Sequence, residues 1–112
     1  MAAVDIYRKI IVTLLNNMAE SISVNSGIDK VVIADHASDN YMLLFVGWDH
    51  GYREMNIGVY FRIRNGKIWL EANYGPDEVA EDLVAAGVPR TDIVLGFQPD
   101  FLRPLTNYAA AS

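Results

Sequence analysis

The succession of hydrophobic patterns along this chain predicts an α+β domain. An N-terminal helix packs on an antiparallel four-stranded meander sheet, and a second short helix and an extended C-terminal segment follow. Three observations carry that expectation. Residues 4–22 repeat apolar side chains at three- and four-residue steps; residues 30–73 break into four strand-like runs; and Asn65-Gly66 sits between the last two of them. The first is a helical period, the second a strand pattern, and the third the strongest short-range hairpin signal, because a type I′ turn needs positive φ at two successive residues.

In the first segment Ile6, Ile10, Leu14 and Met18, with Tyr7, Ile11 and Leu15, form one wide apolar stripe. Asp5 suits the first turn, where a negative charge meets the positive end of the helix dipole. Ser21–Gly27 supplies the small polar residues of a connection. Residues 30–36 make a short strand, Ser38-Asp39-Asn40 a turn, and residues 41–48 a strand apolar at nearly every position. Asp49-His50-Gly51-Tyr52 reverses the chain into residues 53–64, and residues 67–73 complete the meander. A two-residue loop at 65–66 pairs Arg64 with Lys67, Ile63 with Ile68, Arg62 with Trp69, Phe61 with Leu70 and Tyr60 with Glu71. A four-residue loop at 49–52 pairs Val46 with Met55 and Leu44 with Ile57. Met55, Ile57, Val59, Phe61 and Ile63 then share one face, against which the first helix packs.

Residues 76–87 are expected to form the second helix. Pro76 stands at its start, Asp77, Glu78, Glu81 and Asp82 in its opening turns, Val79, Leu83 and Val84 on its buried stripe, and Gly87 just past its end. Residues 92–97 form a short extended run, and the tail from Gln98 carries Pro99 and Pro104.

Composition narrows the function. At 112 residues the chain reads as a single domain, 1–112, large enough to fold around its own core. Nine Lys and Arg against fourteen Asp and Glu leave a net charge of -5, a balance that duplex DNA repels unless the cations are gathered on one face. The absence of cysteine excludes disulfides, thiolate metal sites and thiol nucleophiles. Hydrophobic residues make up 52% of the chain, which hints at apolar surface reserved for a partner. Arg8-Lys9 and the apolar run 10–15 imitate a signal peptide, but the run stops at Asn16-Asn17, too short for export or for spanning a bilayer. A cytoplasmic protein is expected.

The sequence holds no phosphate loop, metalloprotease helix, nucleophile elbow or calcium loop, and no cofactor is expected. Asp35, His36, Asp49 and His50, with Asp39, would form a metal or acid–base cluster if their turns met at one sheet edge; otherwise they are solvated turn residues. Arg53, Arg62, Arg64 and Lys67, interleaved with Tyr60 and Trp69, resemble a single-stranded nucleic-acid platform, against the plainer reading of a sheet face with Arg62 stacked on Trp69. Tyr41, Leu43 and Phe45 are expected to point away from the first helix and to form an aromatic patch with Tyr60 and Trp69, covered partly by the tail and partly by self-association. Asp77, Glu78, Glu81 and Asp82 complement the helix dipole and also offer an acidic patch to a basic protein partner.

Several motifs in order complete the picture: Gly47-Trp48-Asp49 with Arg53, Asn65-Gly66-Lys67-Ile68-Trp69-Leu70, Ala80 with Leu83, Ala86-Gly87-Val88-Pro89, Asp92-Ile93-Val94-Leu95-Gly96-Phe97 with Pro99, and Arg103, Thr106 and Ala109. Together they resemble the XisI-like family, small cyanobacterial proteins called fdxN element excision controlling factors, over essentially the whole chain. The chain departs from the family's Asp-Gly-Thr-Glu type segment, reading Asn73-Tyr74-Gly75-Pro76-Asp77, and carries Gln98 where a His usually precedes the Pro. The resemblance implies a regulatory, non-catalytic role in controlling site-specific excision of a DNA element, alongside a recombinase and a XisH-like companion that looks nuclease-related. The expected partner is therefore a protein, contacted through Tyr41, Leu43, Phe45, Tyr60 and Trp69 and the acidic second helix. The chain is expected to form a homo-oligomer. Direct nucleic-acid binding and metal-dependent hydrolysis are the alternatives.

Overall fold

The computed structural model describes residues 3–21, 27–75 and 78–110. The long helix expected at the N-terminus is α1, Ala3–Glu20. Its buried line is Tyr7, Ile11 and Leu15, spaced four apart, so that Ile10, Leu14 and Met18 lie half-buried beside it and Ile6 is exposed. Four strands follow: β1 (Ile28–Asp35), β2 (Asn40–Asp49), β3 (Tyr52–Arg64) and β4 (Lys67–Asn73), each antiparallel to the one before. The connection expected over Ser21–Gly27 falls mostly outside the described residues.

Of the three hairpins, β2–β3 and β3–β4 close in two residues and β1–β2 in four. Asn65 and Gly66 take φ of 53° and 77°, as the expected type I′ turn requires. The β2–β3 loop is shorter than expected: Asp49 pairs with Tyr52, and His50 and Gly51 turn the chain at φ of 50° and 85°. The Val46–Met55 and Leu44–Ile57 pairings hold, as do those from Arg64–Lys67 to Phe61–Leu70.

Two bulges break the regular alternation that the sequence suggested. Leu43 pairs with Val59 and Leu44 with Ile57, which leaves Gly58 as an extra residue in β3. Phe61 pairs with Leu70 but Tyr60 with Ala72, not Glu71, which leaves Glu71 extra in β4. An inserted residue moves everything beyond it to the opposite face. Val59, Phe61 and Ile63 therefore enter the core, whereas Met55 and Ile57 emerge on the far side. Glycine suits the first bulge because a Cβ there would collide with the Phe45 ring.

The sheet has five strands, where four were expected. After β4 the chain forms α2, Val79–Ala85, within the expected helix; Pro76 and Asp77 lie outside the described residues. Gly87 ends it at φ 109°: its N–H donates to Val84 O and the Val88 N–H to Leu83 O, a Schellman closure. A 3-10 turn at Arg90–Asp92 leads into β5, Ile93–Leu95, parallel to β4. The helical crossover returns the chain in the same direction, which makes the sheet mixed, in the order β1-β2-β3-β4-β5. The tail then runs alongside, its Ala109 N–H donating to Ile93 O.

Both helices cover one face of the sheet. There Tyr7, Ile11 and Leu15 share a core with Tyr41, Leu43, Val59, Phe61, Ile68, Leu70, Val79, Leu83 and Ile93. Each large side chain so buried contributes about 1.5–3 kcal/mol. Among the described residues no helix is long and apolar enough to cross a membrane.

Candidate protein-interaction site

The register decides which side chains share the sheet's far face. Three rows run across β1, β2 and β3: Val31–Leu44–Ile57, Ile33–Met42–Tyr60 and Asp29–Val46–Met55, with Trp48 and Arg53 paired beyond the last. In β1 the side chains of Asp29, Val31 and Ile33 are exposed while Lys30 and Val32 are not, which confirms the side. Trp48 is 58% exposed and Met55 64%; Val31, Ile33 and Ile57 are also open to solvent. No element of the described chain lies over this part of the sheet, so an apolar patch faces water there.

This patch is not the aromatic one that the sequence suggested. Tyr41 and Leu43 lie in the core beneath α1, and Phe45 packs against that core beside Gly58. The Gly58 bulge is the reason: it puts Leu44 and Ile57 outside and turns the odd-numbered residues of β2 inward. Tyr60 is half-buried, its hydroxyl donating to Asn40 Oδ1 at 2.7 Å. Trp69 is only 6% exposed, with the guanidinium carbons of Arg64 and Arg103 lying 4.7 Å and 5.0 Å from its ring centroid. Tail cover is thus present over β4 and β5. The residues missed in sequence were Val31, Ile33, Met42, Leu44, Val46, Trp48, Met55 and Ile57. A glycine inside an otherwise regular strand was the signal that could have found them.

The proposed basic platform is largely engaged within the molecule. Arg62 Nε donates to Glu71 Oε2 at 2.7 Å, and Arg64, not Arg62, stacks on Trp69. Arg53 lies 5.5 Å from the centroid of Trp48 on the open patch, while Lys67 sits by the hairpin turn, opposite Arg64. Among the described residues no row of open rings accompanies Arg62, Arg64 and Lys67, which a stacking platform for bases requires.

On the opposite side, Glu78, Glu81 and Asp82 belong to α2 and its N-cap; Asp77 lies outside the described residues. Glu81 accepts hydrogen bonds from Arg90 and from the Tyr108 hydroxyl. Arg90 foremost, then Tyr108, holds its carboxyl down to about 2. Glu81 therefore clasps the tail to α2. Glu78 and Asp82 are exposed. Asp82 edges a groove of about 600 Å³ between α1 and α2, lined by Lys9, Ile10, Thr13, Leu14, Asn17, Ala85 and Ala86.

The four residues of the metal-hydrolase alternative do not converge. Asp35 and His36 stand at the β1–β2 turn and Asp49 and His50 at the β2–β3 turn, the two ends of β2, roughly 30 Å apart for a ten-residue strand. Among the described residues no three His, Cys, Asp or Glu side chains are gathered to hold a metal ion. Asp35 Oδ1 instead accepts from Ala37 N and Ser38 N at 3.1 Å and 3.2 Å, as a turn aspartate does. Asp39 accepts from Arg8 Nε at 2.7 Å and from the Tyr41 hydroxyl at 2.8 Å. With the Tyr41 proton given to Asp39, His36 Nδ1, 3.2 Å away, acts as donor to the Tyr41 oxygen. Arg8 foremost draws the Asp39 carboxyl below its usual range, and burial pushes the Tyr41 hydroxyl up to about 12. This network ties α1 to the β1–β2 turn.

Comparison with known proteins follows the same lines. The family model described as XisI protein matches residues 1–110. A crystal structure of a XisI-like protein from Anabaena variabilis ATCC 29413 is 36% identical, covers 94% of this chain and 96% of its own, and superposes with a TM-score of 0.88. A second, the fdxN element excision controlling factor XisI from the same organism, is 35% identical with the same coverage and a TM-score of 0.79. No curated protein matches the chain.

Proposed function

The chain belongs to the XisI family, and we propose that it is a non-catalytic, cytoplasmic controller of site-specific DNA excision that works by protein contact. The partner in this reading is the XisH-like companion or the recombinase. One observation carries it: the groove between α1 and α2 joins an apolar floor of Ile10, Leu14, Ala85 and Ala86 to a charged rim of Lys9 and Asp82. An apolar floor with a charged rim of both signs suits a polypeptide. Proteins that act on DNA present basic surface, so an acidic chain of net charge -5 is drawn to them and repelled by the duplex itself. The engagement of Arg62 by Glu71 and of Arg64 by Trp69 weighs against direct nucleic-acid binding.

Asp82 and Ala85 are exposed, so substitutions there leave the core intact. Co-purification of the tagged chain with the companion is expected for the native sequence and strongly reduced for Asp82→Lys and Ala85→Arg, with unchanged circular dichroism. Retention of the companion by both variants would remove the groove from the mechanism. Binding to bare DNA at physiological salt, with no companion complex, would overturn the reading itself.

A further inference from the structure

We propose that the open half of the sheet is the seat of a second copy of this chain, paired face to face about a two-fold axis that runs along β2. This surface lies on the opposite side of the sheet from the α1–α2 groove, so the inference is independent of the companion contact. The centre of the patch is apolar: Val31, Leu44 and Ile57 in one row, with Ile33, Met42, Val46 and Met55 around them. Its flanks are charged, and the charges are segregated by strand. β1 carries Asp29 at one end and Asp35 at the other; β3 carries Arg53 at the first end and, at the second, Arg62, which Glu71 already engages.

That segregation selects the occupant and the axis. A two-fold along β2 lays β2 on β2 and brings β1 of each copy over β3 of the other, at the same level along the strands. Asp29 of one copy then meets Arg53 of the other, offset by two residues or about 7 Å, a gap that an arginine side chain spans. At the other end Asp35 lies over Arg62, but both are engaged within their own copy, by the β1–β2 turn and by Glu71, so Asp29 and Arg53 carry the selection. An in-plane axis across the strands would set Asp29 over Asp35 and Arg53 over Arg62, like charge on like. The surface is thus self-complementary in one orientation, which an isologous dimer requires.

Size is sufficient. Three strands about 4.8 Å apart and five rows about 7 Å apart cover roughly 500–700 Å² per copy with side-chain relief, or about 1,000–1,400 Å² in total, at the lower end of specific interfaces. Two sheets meeting this way stack about 10 Å apart as a sandwich. Trp48, now 58% exposed, would sit at the edge of the contact. Dissociation in the micromolar range is expected.

Sedimentation velocity of the full chain over a micromolar concentration series tests this. The expected result is a species of twice the 12.5 kDa chain mass that weakens by about tenfold in Asp29→Arg or Arg53→Asp and is restored in the double variant, since the swapped pair is again complementary across the axis. Both positions are exposed, and circular dichroism reports that the fold is kept. A monomer at every concentration would overturn the pairing. So would a dimer that ignores both single changes, or one that the double variant fails to restore. Acrylamide quenching of Trp48 in a Trp69→Phe background gives a second readout: shielding that grows with concentration supports the pairing, and constant quenching overturns it.

Discussion

The far face of the sheet is two surfaces in one. Over β4 and β5 the chain covers itself: Trp69 lies between the Arg64 and Arg103 guanidiniums, Val94 is fully buried, and Ala109 pairs alongside β5. Over β1, β2 and β3 the described residues provide no cover, and Val31, Ile33, Trp48, Met55 and Ile57 are left in water. Both halves are apolar at their centres. What distinguishes them is the C-terminal segment, held in place by the Glu81–Arg90–Tyr108 clasp. The first half belongs to the stability of the subunit, and the second is the surface proposed above for association.

The largest consequence concerns Trp69. Trp69→Ala removes a buried ring and the seat of two guanidiniums, and is expected to lower stability by about 3–5 kcal/mol in denaturant unfolding. A loss under 1 kcal/mol would mean that tail cover contributes little. Gly58→Ala sharpens the contrast from the other side. The added Cβ meets the Phe45 ring at the bulge that sorts core residues from open ones, and a loss of about 1–3 kcal/mol is expected.

The bulge also marks where reading the sequence stopped short. The first helix, the β3–β4 hairpin and the glycine end of α2 were legible because each is a local signal: a period, an Asn-Gly pair, a glycine before a proline. Met55, Ile57, Val59, Phe61 and Ile63 looked like one continuous face, and only Gly58 hinted otherwise. The error carried through the register, so Tyr41 and Leu43 were expected on the surface and Leu44 beneath the helix. β5 was seen as extended but not as a strand, because three residues show no partner until α2 has carried them back to β4. The Arg90–Glu81–Tyr108 clasp joins residues remote in sequence and had no pattern to betray it. The stacking of arginine on Trp69 was foreseen, with the wrong arginine.

The clasp gives a pH test of the covered half. Glu81 has a carboxyl lowered from its usual 4.5 to about 2, because Arg90 and Tyr108 favour its charged form. A depressed carboxyl contributes stability that is fully present above the unfolded value and is lost as pH falls through the folded one. Stability is therefore expected to decline from about pH 4.5 toward pH 2, with Asp39, also lowered, chiefly by Arg8, contributing in the same direction. Glu81→Gln should flatten that acid decline and increase quenching of Trp69 in a Trp48→Phe background at neutral pH. An acid limb identical to that of the native chain would separate the clasp from tail cover.

The smallest stability effect is expected on the open half. Ile57→Lys should change subunit stability by no more than about 0.5 kcal/mol, as exposed substitutions do, while reducing self-association. A large loss of stability instead would show that the two halves are not functionally distinct.

Control by protein contact is tested most directly by mass. Sedimentation velocity of the chain mixed with the XisH-like companion and a labelled duplex from an element end, at physiological salt, resolves which of the two it joins. A protein complex heavier than either component, with the duplex sedimenting alone when the chain is its only partner, is the expected outcome. A chain that migrates with the duplex and leaves the companion free would contradict it.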